Sequence, residues 1–156
     1  MQTTVNELRS ILQEYERKIA SIPDHEFSAK PLPHKWSKKE VLGHLIDSAQ
    51  NNLRRFVSGQ YESTPPKITY EQDFWVRANG YQSANKEDVV RLWKLINERI
   101  GAVLLEMPAD HYAYSCDTGR EKVQLRSLAW LAEDYVKHMK HHLNQIIPGS
   151  FAITYP

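Results

Sequence analysis

The densest run of reactive side chains in this chain is His138-Met139-Lys140-His141-His142, inside a segment with helical apolar spacing. At about 100° of rotation per residue, His138 and His142 lie only about 40° apart on a helix and one turn apart along its axis. Two imidazoles so placed can chelate one metal ion. Their stripe continues the apolar line of Leu128, Leu131 and Tyr135. Both rings should therefore face the interior, where an unpaired polar group is costly. Two arrangements meet that requirement: a hydrogen-bonded pair of core histidines, or a shared ion.

A third imidazole stands earlier in the chain. His44, Asp47, Ser48, Asn51 and Arg55 follow one another at spacings of three, one, three and four residues, which draws a polar stripe along one helix. Such a stripe is usually a solvated face. Here Leu42, Leu45, Ala49 and Phe56 bracket it on both sides, so part of it could line a cavity. His44 from a facing helix would complete a three-nitrogen site with His138 and His142. That donor set leaves a catalytic ion with open positions, and neutral imidazole suits zinc, nickel, iron or copper. In such a site Asp47, one turn beyond His44, could orient an imidazole or accept a proton, and Arg55 could hold an anionic part of a substrate. Both also read as members of helix-surface ion pairs.

Four segments free of helix breakers must position these residues, because the eight prolines cluster at 23, 31, 33, 65, 66, 108, 148 and 156. The first, residues 4–22, spaces Val5, Leu8, Leu12, Tyr15 and Ile19 as an amphipathic helix. The second opens at Ser37, which can form a capping box with Glu40, and runs to about Gly59 through Val41, Leu42, Leu45, Ala49, Leu53 and Phe56. Asn85 is a good N-cap for the third, which carries Val89, Leu92, Trp93, Ile96, Ile100, Val103 and Leu104 before Pro108 stops it. The fourth, residues 125–147, presents Leu128, Leu131, Ala132, Tyr135, Met139 and Ile146 and ends at Pro148-Gly149.

Between the second and third helices lies a connection of about 25 residues, 60–84, too long to be structureless in a small domain. Tyr70, Phe74 and Trp75 are placed to make a short helix or an aromatic lid there. In residues 109–124, Tyr112, Tyr114 and Val123 flank Asp117-Thr118-Gly119, which suggests a small hairpin. The expected fold is all-α, a four-helix bundle with one long crossover between helices two and three, forming a single domain over residues 1–156. Trp36, Trp93 and Trp130 are expected in packing roles, whereas Trp75 is placed to cover the metal end.

The bulk properties narrow the function further. The chain has 156 residues with 41% hydrophobic content, enough to bury a core. Twenty basic and nineteen acidic residues leave a net charge of +1, so no general field draws nucleic acid or an anionic membrane. No stretch approaches the ~20 apolar residues of a membrane span, and the polar start lacks the apolar centre of a signal peptide; a cytoplasmic location is the expectation. The lone Cys116 makes no disulfide framework and reads as an inert thiol. His25, His34 and His111 read as surface histidines beside prolines and turn residues.

The string His44-Leu45-Ile46-Asp47-Ser48 with Asn51 and Arg55-Phe56, followed late in the chain by His138-Met139-Lys140-His141-His142-Leu143-Asn144-Gln145-Ile146, resembles the DinB-like family, in particular its YfiT-type metal-dependent hydrolases. The likeness extends to Trp36-Ser37 and Val41-Leu42 before the first histidine and to Tyr70 and Trp75 in the crossover. It implies a four-helix bundle, often dimeric, whose three histidines bind a divalent ion at one end of the core. His44, His138 and His142 occupy the matching positions. The family pattern leaves His141 beside the site or on the surface, although helix geometry alone leaves it open. The chain departs from some relatives at Ala49, where they carry a histidine, and at Gln145, where the polar group differs. Those departures bear on the surroundings of the ligands and on substrate choice.

The resemblance thus implies an enzyme that uses one divalent ion, zinc or nickel first and iron or manganese next, to activate water or a low-molecular-weight thiol. Hydrolysis follows in the first case and S-transfer in the second, and the family also contains a thiol-dependent isomerase. A small-molecule substrate and a homodimer are the implied partners. The competing class is non-catalytic: a stress-associated bundle whose ion ties helix two to helix four, or a module that binds a small ligand. A structural ion would be closed by protein groups, and a catalytic one left open.

Overall fold

The structure, a computed structural model, describes residues 1–155. In chain order its helices are α1 (Gln2–Ala20), the single turn α2 (Asp24–Phe27), α3 (Lys38–Tyr61), α4 (Gln72–Asn79), α5 (Lys86–Glu106) and α6 (Leu128–Ile146). The four long ones, α1, α3, α5 and α6, are the bundle. Their starts follow local capping chemistry. Ser37 accepts the Glu40 amide while the Glu40 carboxylate accepts the Ser37 amide at 2.9 Å, an exchange in which the serine cap alone is worth about 1 kcal/mol. Asn85 accepts the Asp88 amide and opens α5, and Ser127 accepts the Trp130 amide and opens α6.

Each long helix turns an apolar stripe inward. On α1 the buried side chains are Val5, Leu8, Ile11, Leu12, Tyr15 and Ile19, and on α6 the stripe of Leu131, Tyr135, Met139 and Ile146 is buried with Leu128 and Leu143. Trp93 of α5 is fully buried at the centre. Both α1 and α3 pack against α5 and α6, so α1 and α3 lie on a diagonal and α3 runs beside α6. The diagonal is crossed between α1 and α3; α3 and α5 are neighbours that start at the same end, where Lys39 Nζ donates to the Ala84 carbonyl at 2.9 Å, so the long connection runs back along the bundle. It contains α4 and a 3-10 turn, Tyr81–Ser83. Among the described residues no helix is long and apolar enough to cross a membrane.

Three local expectations need correction. Residues 125–127 are not the first turn of the fourth helix: Leu125–Ser127 (β2) pairs antiparallel with Ser115–Asp117 (β1), Cys116 opposite Arg126. The Asp117 carboxylate accepts the amides of Gly119 and Gln124 at 2.9 and 2.8 Å, which closes the turn and makes the strand pairing the better use of those backbone groups. The hairpin therefore starts after Tyr114, and Tyr112 falls in a 3-10 turn, Ala109–Ala113. Trp130 is not packed in the core but 41% exposed, with the Arg126 guanidinium over its ring. On α5, Leu92 is exposed, and Val90 is buried.

Candidate metal centre

Adjacent α3 and α6 bring His44, His138 and His142 together. One ligand-capable atom from each lies within 4.8 Å of the other two, and among the described residues this is the one such group of three or more His, Cys, Asp or Glu side chains. His44 is buried at 1% exposure, while His138 and His142 are half-buried. The Trp36 ring, 5.0 Å from the His44 ring centre, covers it from the loop before α3. The Nε2 atoms of His44 and His138 stand 3.2 Å apart. Two zinc–nitrogen bonds of about 2.0 to 2.1 Å at the tetrahedral angle span about 3.3 Å, so the pair already has the separation of a ligand edge.

Two of the three outward nitrogens have partners of their own. His138 Nδ1 lies 3.4 Å from Ser48 Oγ, and His142 Nδ1 lies 3.0 Å from Gln145 Oε1. An amide oxygen only accepts, so His142 carries its proton on Nδ1 and keeps the Nε2 lone pair free. His44 Nδ1 is buried without a partner. A histidine pair sharing one hydrogen bond would explain the 3.2 Å contact but would leave the third imidazole without a purpose. Three imidazoles with a shared centre fit a divalent ion.

Electrostatics agree with that donor set. Burial first, and the neighbouring His142 second, lower the His44 pKa to about 3. Burial again leads for His138, held well below the ordinary value with His142 and His44 adding to the effect, and burial lowers His142 against the opposing Gln145 bond. All three are therefore neutral imidazoles at physiological pH, the protonation state in which they bind a metal. His141 is not part of the cluster. Its Nε2 accepts from the Gln145 amide Nε2 at 3.2 Å, and its ring stands beside Tyr155.

Asp47 and Arg55 both point away from bulk solvent. Asp47 is fully buried, and its Oδ1 accepts from the Tyr81 hydroxyl at 2.7 Å and from Asn79 Nδ2 at 2.9 Å. Its Oδ2 is buried without a partner. Burial raises the Asp47 pKa to about 6 against those two hydrogen bonds. Gly43 makes the arrangement possible, since a Cβ there would stand 2.1 Å from the Tyr81 ring. Arg55 is half-buried and donates from Nε and Nη2 to the Ile68 carbonyl at 3.2 and 2.6 Å. Neither residue makes an ion pair among the described residues.

Tyr81, Asn79 and Tyr155 went unnoticed in the sequence because they reach the site from the crossover and the tail, where no periodicity marks a facing side chain. Trp75 lies edge-on against Tyr70 at 5.6 Å rather than against the histidines. Cys116 is buried, and burial pushes its thiol up to about 11, so it stays protonated and unreactive. His111 is half-buried and bonds Gln60. A groove of about 990 Å³ that includes Trp36, Val41, Lys35, Gln72 and Gln145 reaches the cluster at His142.

Known proteins share this architecture. Against YfiT of Bacillus subtilis (strain 168), provisionally named a metal-dependent hydrolase, the chain is 27% identical over 114 residues, covering 71% of this chain and 62% of that protein. The chain thus spans less than two thirds of that relative's length. The YfiT structure, described as a probable metal-dependent hydrolase with an unusual four-helix bundle topology, superposes with a TM-score of 0.83 at 19% identity, over 93% of this chain and 82% of that one. A mycothiol-dependent maleylpyruvate isomerase superposes with a TM-score of 0.70 at 13% identity, over 91% of this chain and 59% of that one. At such identities the superpositions establish the fold. The profile of the DinB superfamily matches residues 7–146, and the chain belongs to that family.

Proposed function

We propose that this protein is a metal-dependent enzyme in which His44, His138 and His142 hold one divalent ion, zinc or nickel, and that its reaction is hydrolysis or thiol S-transfer on a small molecule. The observation that carries this reading is the convergence of three neutral imidazoles within 4.8 Å, beside a groove that reaches His142. Such an ion, when bound, acts as a Lewis acid and lowers the pKa of a bound water or thiol toward neutrality.

The chain's own groups then have distinct parts. The groove admits the substrate past Trp36 and holds it against the His142 side. Asp47 accepts a proton: with a pKa near 6 and one oxygen unpartnered, it suits general-base work near neutral pH. Arg55 holds an anionic part of the substrate, since only three of its five N–H groups are engaged, by Ile68 and Asn52. A homodimer and a cytoplasmic location belong to the same proposal.

The test is a screen of ester, amide and thiol-plus-electrophile substrates with chelator-stripped and Zn²⁺- or Ni²⁺-reloaded protein. Turnover that disappears on stripping and returns on reloading supports the reading. Metal bound with no turnover across the screen favours a structural ion or a ligand-binding bundle.

A further inference from the structure

Below His44 on α3, polar side chains form a connected row of which the proposed reaction uses only the Arg55 end. Arg55 Nη1 donates to Asn52 Oδ1 at 3.3 Å, and Asn52 Nδ2 donates to the Ser48 carbonyl at 2.9 Å and to Ser48 Oγ at 3.4 Å. Ser48 Oγ in turn lies 3.4 Å from His138 Nδ1, on the side of the ring opposite the Nε2 that faces His44. Asn52 and Ser48 are buried. The far end is anchored in the crossover, where the Ile68 carbonyl takes two bonds from Arg55.

The row has a polarity. A guanidinium carries only donors, so Asn52 must turn its oxygen toward Arg55 and its nitrogen toward Ser48. Ser48 Oγ accepts that bond and keeps a second lone pair. We propose that Arg55, Asn52 and Ser48 are positioning residues that hold His138 as its Nδ1–H tautomer, so that its Nε2 lone pair is presented to the ion. The opposite polarity, with Ser48 donating to Nδ1, would place a proton on Nε2 and close that nitrogen to metal. Groups that orient a ligating histidine commonly alter metal affinity by about 10- to 100-fold.

This inference rests on the proposed three-histidine site, and its test separates the two. The ¹⁵N shifts of His138 in metal-free protein report the tautomer directly, and Co²⁺ affinity by chelator competition reports the ligand. Wild type should show Nδ1–H. Ser48→Ala should shift His138 toward Nε2–H and weaken Co²⁺ binding by about 10-fold or more, with Asn52→Leu changing both in the same direction. Ser48→Thr, which keeps the hydroxyl, should restore both readouts. The proposal is overturned if wild-type His138 is the Nε2–H tautomer, or if Ser48→Ala keeps both the tautomer and the affinity. A wild-type protein that binds no Co²⁺ overturns the metal site instead, and the nitrogen shifts then decide the tautomer alone.

Discussion

Burial keeps His44, His138 and His142 neutral, and this gives the metal-free protein a pH dependence of definite sign. An unfolded histidine titrates near 6.5, whereas all three are lowered in the fold, His44 to about 3. Above 6.5 both states are neutral and the three groups do not affect stability. As pH falls below 6.5 the unfolded chain takes up protons first, so stability drops through the window down to the folded pKa values. Asp47, raised to about 6, works in the opposite sense, so the histidine part is best isolated as a difference. Thermal melts of chelated wild type and His44→Gln at stepped pH should show the wild type losing more stability below 6.5; parallel curves would contradict the burial account. Asp47 has a separate test in catalysis. With the ion bound, Asp47→Asn should lower turnover by about 10²-fold or more if it accepts a proton, and Arg55→Ala should raise KM for an anionic substrate. Unchanged kinetics in both variants would assign them to holding the crossover alone.

At the level of elements, the joint between α3 and the crossover depends on a glycine. Gly43 lets the Tyr81 ring lie on the helix and reach Asp47 one turn further on. Gly43→Ala should force Tyr81 away and destabilise the fold by about 1 to 3 kcal/mol, whereas Gly101→Ala on α5, where the nearest atom to a new Cβ is 3.6 Å away, should be neutral or stabilising by up to about 1 kcal/mol. Urea unfolding of the two variants checks the contrast, and equal effects would contradict it. The long helices were legible in sequence because their signals are local: a serine with a glutamate three residues on, an asparagine before an apolar period, prolines at the ends. The short elements were less so. Leu125, Arg126 and Ser127 suit a helix start as well as a strand, and their strand state depends on Ser115–Asp117 across the turn. Trp130 has the hydrophobicity of a core residue, and only the packing of α6 shows that it faces outward under Arg126.

Across the whole molecule, the bundle supplies the adjacency that the site needs. Helical period turned His138 and His142 of α6 inward and made His44, in the bracketed polar stripe of α3, a candidate third ligand, and the resemblance to the DinB-like family joined the three. What surrounds them was not legible: Tyr81, Asn79 and Tyr155 arrive through connections whose course depends on tertiary packing. If one ion bridges α3 and α6, it also stabilises the fold by linkage, about 2.7 kcal/mol at a free concentration 100 times Kd. Zn²⁺ should therefore raise the melting temperature of the wild type and leave that of His138→Ala nearly unchanged; equal rises would place the stabilising ion elsewhere. The central claim is that one ion is shared between two helices, and elemental analysis of metal-supplemented, gel-filtered protein tests it most directly. The account predicts close to one divalent ion per chain in wild type and His141→Ala and a sharp loss in His44→Ala, with circular dichroism showing the bundle still folded. The same metal content with and without His44 would contradict it, because the ion would then belong to α6 alone.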